Sequence, residues 1–124
     1  MQIIKEGKER VWFLVREWKT KAGLKARVNL CVWSERVKAR SSVGMTDYYA
    51  GYVQIPYEYK IENTELFDVH GGITYGYPQP TDLEGAEGKW TGFDMAHYGD
   101  ENKQSEEYAV GQCESLAEQI KNHG

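Results

Sequence analysis

What this chain has little of narrows its class first. Two cysteines occur in 124 residues, Cys31 and Cys113. They lie far apart and give neither a metal-binding spacing nor a disulfide framework, so a hydrophobic core has to hold the fold. One sits in a strand-like run and one in a helix-like run, and both read as small buried hydrophobes in a reducing compartment. No uninterrupted apolar run approaches the roughly 18 residues that would suggest a membrane span. The opening MQIIKEGKER lacks a continuous apolar core, so no leader is expected and the expected location is the cytoplasm. G-x-x-x-x-G-K-[ST], G-x-G-x-x-G and G-x-S-x-G are all missing. That excludes the familiar phosphate loops and the strained serine elbow, and leaves Ser41, Ser42 and Thr74 outside any nucleophile motif.

What is present is an ordinary folded domain. With 40% hydrophobic, 27% charged and 13% aromatic residues, the chain has the material for a packed core and does not read as disordered. The net charge of −4 is unevenly spread: residues 1–62 carry 12 Lys/Arg against 7 Asp/Glu (+5), and residues 63–124 carry 3 against 12 (−9). Such halves either present an electropositive face or pack against one another.

Residues 11–18, VWFLVREW, are β-branched and aromatic at both parities and read as a strand. KTKAG follows as a turn. LKARVNLCVW then alternates, with Leu24, Ala26, Val28, Leu30 and Val32 on one face and Lys25, Arg27, Asn29 and Cys31 on the other, completing a β-hairpin. Residues 34–46 suit a basic loop or short helical turn. YYAGYVQIP is a strand ended by Pro56, LFDVHGGITY (66–75) reads as the next strand, GYPQPTDLEGAEG (76–88) as an exposed loop, and residues 89–95 as a further strand. Beyond the cap Ser105, with Glu106 and Glu107 in the first turn, Ala109, Val110, Cys113, Leu116, Ala117 and Ile120 form a helical stripe. The expected fold is α+β: a mostly antiparallel sheet of about five strands with one C-terminal amphipathic helix packed on it, a single domain over residues 1–124.

Two segments gather most of the histidine. In FDVHGGITYG, strand parity would place Asp68, His70, Gly72 and Thr74 on one face, with bare backbone at Gly71 and Gly72 open to a ligand or a ring. In WTGFDMAHYGD, Asp94 is followed by His97 and Asp100, with Gly99 between. Imidazole and carboxylate together suit a divalent metal or proton transfer near neutral pH. Two readings are open: Asp68, His70, Asp94, His97 and Asp100 converge on a polar ligand or metal, or they form a packed network around Trp90 or Tyr75. Neither motif is a metal signature such as H-E-x-x-H. Separately, Lys19, Lys21, Lys25, Arg27, Arg36, Lys38 and Arg40 lie among Trp12, Trp18 and Trp33, a mixture that suits stacking of single-stranded nucleic acid.

TKAGLKARV, AGYVQIP, DVHGGITYG, WTGFDMAHYGD and ESLAEQI follow one another in the order found in a family of small uncharacterised proteins of tailed phages, prophages and some bacteria. The chain resembles that family over roughly residues 20–121. The most specific parts are V-H-G-G-I-T-Y and G-F-D-x-A-H-x-G-D, which fall on His70, Gly71, Gly72, Thr74, Gly92, Phe93, Asp94, His97, Gly99 and Asp100. The family often has C-G-Y-V where this chain has Ala50-Gly51-Tyr52-Val53, and its loop after Pro56 is commonly longer and carries histidine. The resemblance implies an accessory role, in which a small phage protein blocks a host protein or binds or degrades a signalling nucleotide. The expected function is therefore binding of a host macromolecule or a small polar nucleotide-like ligand. Asp68, His70, Gly71, Gly72, Thr74, Asp94, His97 and Asp100 are the expected ligand-binding residues, with no metal or cofactor assigned. Two alternatives stand beside it. One is a small phosphoester hydrolase in which His70, His97, Asp94 and Asp100 hold a water-activating metal; the other is a single-strand nucleic-acid module using the basic hairpin. A homodimer through exposed tyrosines or a free sheet edge is a further possibility.

Overall fold

Alternating apolar and polar residues become strands of a single sheet. The computed structural model describes residues 2–41, 46–96, 100 and 104–123. Its sheet contains β1 (Gln2–Glu6), β2 (Arg10–Lys19), β3 (Lys25–Trp33), β4 (Tyr48–Ile55), β5 (Thr81–Asp82) and β6 (Lys89–Asp94). The strands run antiparallel to their neighbours in the order β1-β2-β3-β4-β6-β5. A short helix, α1 (Glu35–Arg40), joins β3 to β4, and Ser34 caps it by accepting from the Val37 N–H. The long helix α2 (Glu106–His123) starts where Ser105 accepts from the Tyr108 N–H, and it packs on β3 and β4. The architecture is α+β, with six strands rather than five. Among the described residues no helix is long and apolar enough to cross a membrane.

Strand parity divides the interior between two faces. On the helix face Ala26, Val28, Val53, Ile55 and Phe93 meet Ala109, Cys113, Leu116, Ala117 and Ile120 of α2, forming the main core. On the opposite face Ala50, Tyr52 and Trp90 pack with Leu83, flanked by Trp12, Tyr75 and Ala86. Gly51 lets the helix face close. A β-carbon there would lie 2.5 Å from Cζ of Phe93 and 2.6 Å from Sγ of Cys113, so the ring and the thiol occupy the space a side chain would need. Cations of the first half also meet acids of the second, as in Arg16–Glu106 and Lys5–Glu84. This accounts for part of the charge asymmetry as packing between the halves.

Three sequence expectations change. Residues 66–75 are not a strand: a 3-10 turn (Thr64–Leu66) leads into irregular chain that touches the sheet only through a bridge between Tyr75 and Gly92. Gly71 and Gly72 adopt φ of +70° and +81°, which ends any extended run, and the preceding N–H groups find partners on α2 instead of on a strand. The loop over 76–88 is not wholly exposed, since it carries β5 and buries Leu83. Edge strand β1 escapes notice in the sequence because its residues are almost all exposed and show no alternation.

Replacing Gly51 with alanine should overpack the helix face and cost about 1–3 kcal/mol, lowering the melting temperature by several degrees. A variant that melts with the wild type would show that Phe93 is not seated against that backbone. The thiols give a second expectation. Burial pushes Cys113 up to about 12 and also raises Cys31, so at pH 8 both stay protonated and enclosed. Iodoacetamide should leave the folded protein unlabelled and modify both residues in denaturant, read by mass spectrometry. Rapid labelling of either cysteine in the folded protein would contradict this packing.

Candidate functional site

Among the described residues, the aspartates and the histidine singled out in the sequence fall into two groups on different faces of the sheet. The first is fastened to α2. His70 Nε2 lies 2.9 Å from Asp100 Oδ1, and both side chains are only 10% exposed. His70 Nδ1 lies 2.9 Å from the Tyr108 hydroxyl, with the two rings edge to face. An imidazole carrying its proton on Nε2 donates to Asp100 and accepts from Tyr108, so both nitrogens are engaged without a ligand. The backbone is fastened as well. The His70 N–H donates to Gln112, the Asp68 N–H donates to Gln119, and Gln119 returns a bond to the Asp68 carbonyl. This group is a clasp between the 68–72 turn and the helix.

The second group lies on the face away from α2. Asp94 shares its side of β6 with Trp90, and Thr74 donates its hydroxyl to Asp94 Oδ2 at 2.9 Å while the Ala96 N–H donates to Oδ1. Both residues line a groove of about 510 Å³ together with Arg10, Trp12, Asn29, Tyr48, Tyr52 and others. Sheet register explains the convergence: Leu14, Asn29, Ala50 and Asp94 are successive cross-strand partners on β2, β3, β4 and β6. Asn29 thus stands two strands from Asp94, with the small Ala50 between them.

Asn29 and Arg10 distinguish this groove chemically. Asn29 is 5% exposed, and its Oδ1 has no hydrogen-bond partner among the described residues. Tyr52 is its polar neighbour; the Tyr52 phenol is raised chiefly by burial, with a hydrogen bond from Asn29 opposing. One hydroxyl meets one end of an amide, so whichever way the amide is turned its other end is left without a partner, enclosed just beneath the groove lining. Arg10 donates from Nη1 to the Tyr48 hydroxyl at 3.1 Å, and its guanidinium carbon lies 5.0 Å from the Trp12 ring centre and 5.1 Å from that of Trp33. No carboxylate among the described residues pairs with it. Neither residue stands out in the sequence. Asn29 is one polar residue on an alternating strand, and its burial depends on what crosses that face.

The remaining expected site residues are placed as follows. The Asp68 side chain is exposed. Gly71 and Gly72 form a turn, and a β-carbon on Gly72 would meet nothing within 4 Å, so conformation and not close approach accounts for it. His97 and Gly99 lie outside the described residues. Among the described residues no three His, Cys, Asp or Glu side chains converge as metal ligands. The basic hairpin is partly neutralised, since Arg27 pairs with Glu17 and Lys38 with Asp47, and Trp18 donates its indole N–H to Glu114. A larger recess of about 690 Å³, with Tyr57, Tyr59 and Pro80 in its lining, has its Gln54 and Lys89 already bonded to Glu87 O and Asp82.

His70→Ala should lower the unfolding free energy by about 1–3 kcal/mol, chiefly because the nearly buried Asp100 loses its partner. Urea melts should show a lower midpoint with an unchanged slope. An unchanged midpoint would mean that the ring carries no structural load. Compared with protein-family models, with curated proteins and with solved structures, the chain matches none.

Proposed function

We propose that this protein binds a small polar, nucleotide-like ligand in the groove on the sheet face opposite α2, and that the accessory role implied by its sequence resemblance is exercised through this binding. The observation that carries the reading is the buried amide of Asn29, a residue of the groove lining whose enclosed oxygen lacks a partner among the described residues. A buried carbonyl without a donor costs about 1–3 kcal/mol, and a ligand N–H removes that cost on binding. The lining suits such a ligand. Trp12, Tyr48, Tyr52 and Tyr75 offer ring faces and edges, Asp94 adds acceptor oxygens, and the 510 Å³ volume is of ligand size. His70 and its partners support the groove from the far side of the sheet and do not line it.

The test is a thermal-shift screen of mono-, di- and cyclic nucleotides on wild type and Asn29→Leu, a change of similar volume. Without ligand the variant should melt within a few degrees of wild type, because the orphan oxygen is gone while the buried Tyr52 hydroxyl loses its Asn29 partner. A ligand at a hundred times its Kd should stabilise wild type by about 2.7 kcal/mol, and that shift should vanish in the variant. A full ligand shift retained by Asn29→Leu would place the site elsewhere.

A further inference from the structure

We infer that the groove has a polarity: Arg10 takes an anionic group, a phosphate in the first instance, while Asn29 and Asp94 take the N–H edge of an attached planar base. The ligand class is thus a nucleoside monophosphate or its close analogue. This rests on the ligand-binding reading above and adds which end of the ligand goes where.

The argument starts from what holds Arg10. Its guanidinium sits within 5.1 Å of two indole centres, donates to Tyr48 and has the Cys31 thiol as a further side-chain partner. Trp12 and Tyr48 are themselves edge to face at 5.7 Å. A guanidinium has five donors in a fixed plane, so the ring contacts orient it while most of its N–H groups remain available. An arginine without a carboxylate partner among the described residues, held between two indoles beside a groove, is suited to an oxyanion. Lys5 lines the same groove, although it lies 3.8 Å from Glu84 and is in part neutralised.

The other end has the opposite character. Asn29 holds an enclosed acceptor without a partner among the described residues, and Asp94 is a carboxylate that already accepts from Thr74 and from the Ala96 N–H. Acceptors call for N–H donors, and phosphate has none to spare near neutral pH. Register keeps the ends apart: Arg10 pairs with Trp33 at one end of the β2–β3 ladder, whereas Asn29 pairs with Leu14 four residues further along β2. Four residues of strand span about 13 Å of backbone at roughly 3.3 Å each, a separation that the Arg10 side chain shortens by reaching over Trp12 to Tyr48. A base linked through a sugar to a phosphate can meet both groups.

Calorimetric titration of the common ribonucleosides, their 5′-monophosphates and inorganic phosphate into wild type, Arg10→Gln and Asn29→Leu tests this. Wild type should prefer a monophosphate to its nucleoside by about 10- to 100-fold, the worth of a charge-assisted bond. Arg10→Gln should erase that preference by weakening the monophosphate far more than the nucleoside, with a thermal melt showing that the variant is folded. Asn29→Leu should weaken nucleoside and monophosphate alike. Equal affinity of wild type for nucleoside and monophosphate, or an Arg10→Gln variant that weakens both equally, overturns the polarity while the ligand-binding reading stands. If no nucleoside or monophosphate binds wild type at all, the reading and the inference fall together.

Discussion

The ring of Phe93 and the thiol of Cys113 share the space that a side chain at residue 51 would fill, and the arrangement of both sheet faces follows from that contact. Gly51 and Phe93 are register partners on β4 and β6. Once Phe93 is committed to the helix side, its neighbours Gly92 and Asp94 must face the other way, as must Ala50 and Tyr52. A slip of one residue would carry Asp94 into the main core and expose Phe93. The helix therefore does more than bury Leu116 and Ile120. By requiring a bare backbone at one position it fixes which polar residues of three strands line the groove.

The second face is covered by a loop instead of a helix, and this difference leaves room for a site. Leu83 and Trp90 close the end near β5 and β6, with the Tyr75 hydroxyl donating to the Asp82 carbonyl. Toward β2 and β3 the cover stops, and Trp12, Arg10 and Asn29 stand at a polar groove. The amide at 29 meets the Tyr52 phenol with one end only, and its oxygen has no partner among the described residues. A domain of this kind is stable by about 5–15 kcal/mol in total, so an orphan amide worth 1–3 kcal/mol is a substantial concession. In the proposed reading a ligand N–H supplies the compensating gain.

Much of the fold was legible because it rests on short-range periodicity. The β2–β3 hairpin, β4, β6 and α2 show clear alternation, a helical stripe or a capping residue. FDVHGG misleads for a specific reason. Phe67 and Val69 are buried while Asp68 is exposed, which reproduces a strand's period of two. The inward pull comes from the main core, however, and the N–H groups go to Gln112 and Gln119. Periodicity reports burial, and only hydrogen bonding makes a strand. The site was legible in part. Thr74 and Asp94 were singled out and do meet at the groove, whereas Asn29 and Arg10 arrive there through cross-strand register, a long-range property that local patterns do not carry.

Chemically capable residues need not be the ones that meet a ligand. Between His70 and Thr74 the chain passes from the helix face to the groove face around β6, and its entry is fixed from both sides. Before the passage the Asp68 and His70 N–H groups are tied to α2; after it the Thr74 and Tyr75 N–H groups both donate to the Gly92 carbonyl. The Thr74 hydroxyl is thereby delivered to Asp94. An imidazole held by Asp100 on one nitrogen and Tyr108 on the other is occupied in keeping that path. The histidine then serves the groove by holding the chain that builds one wall of it, and the polar group left wanting a partner is the amide two strands away.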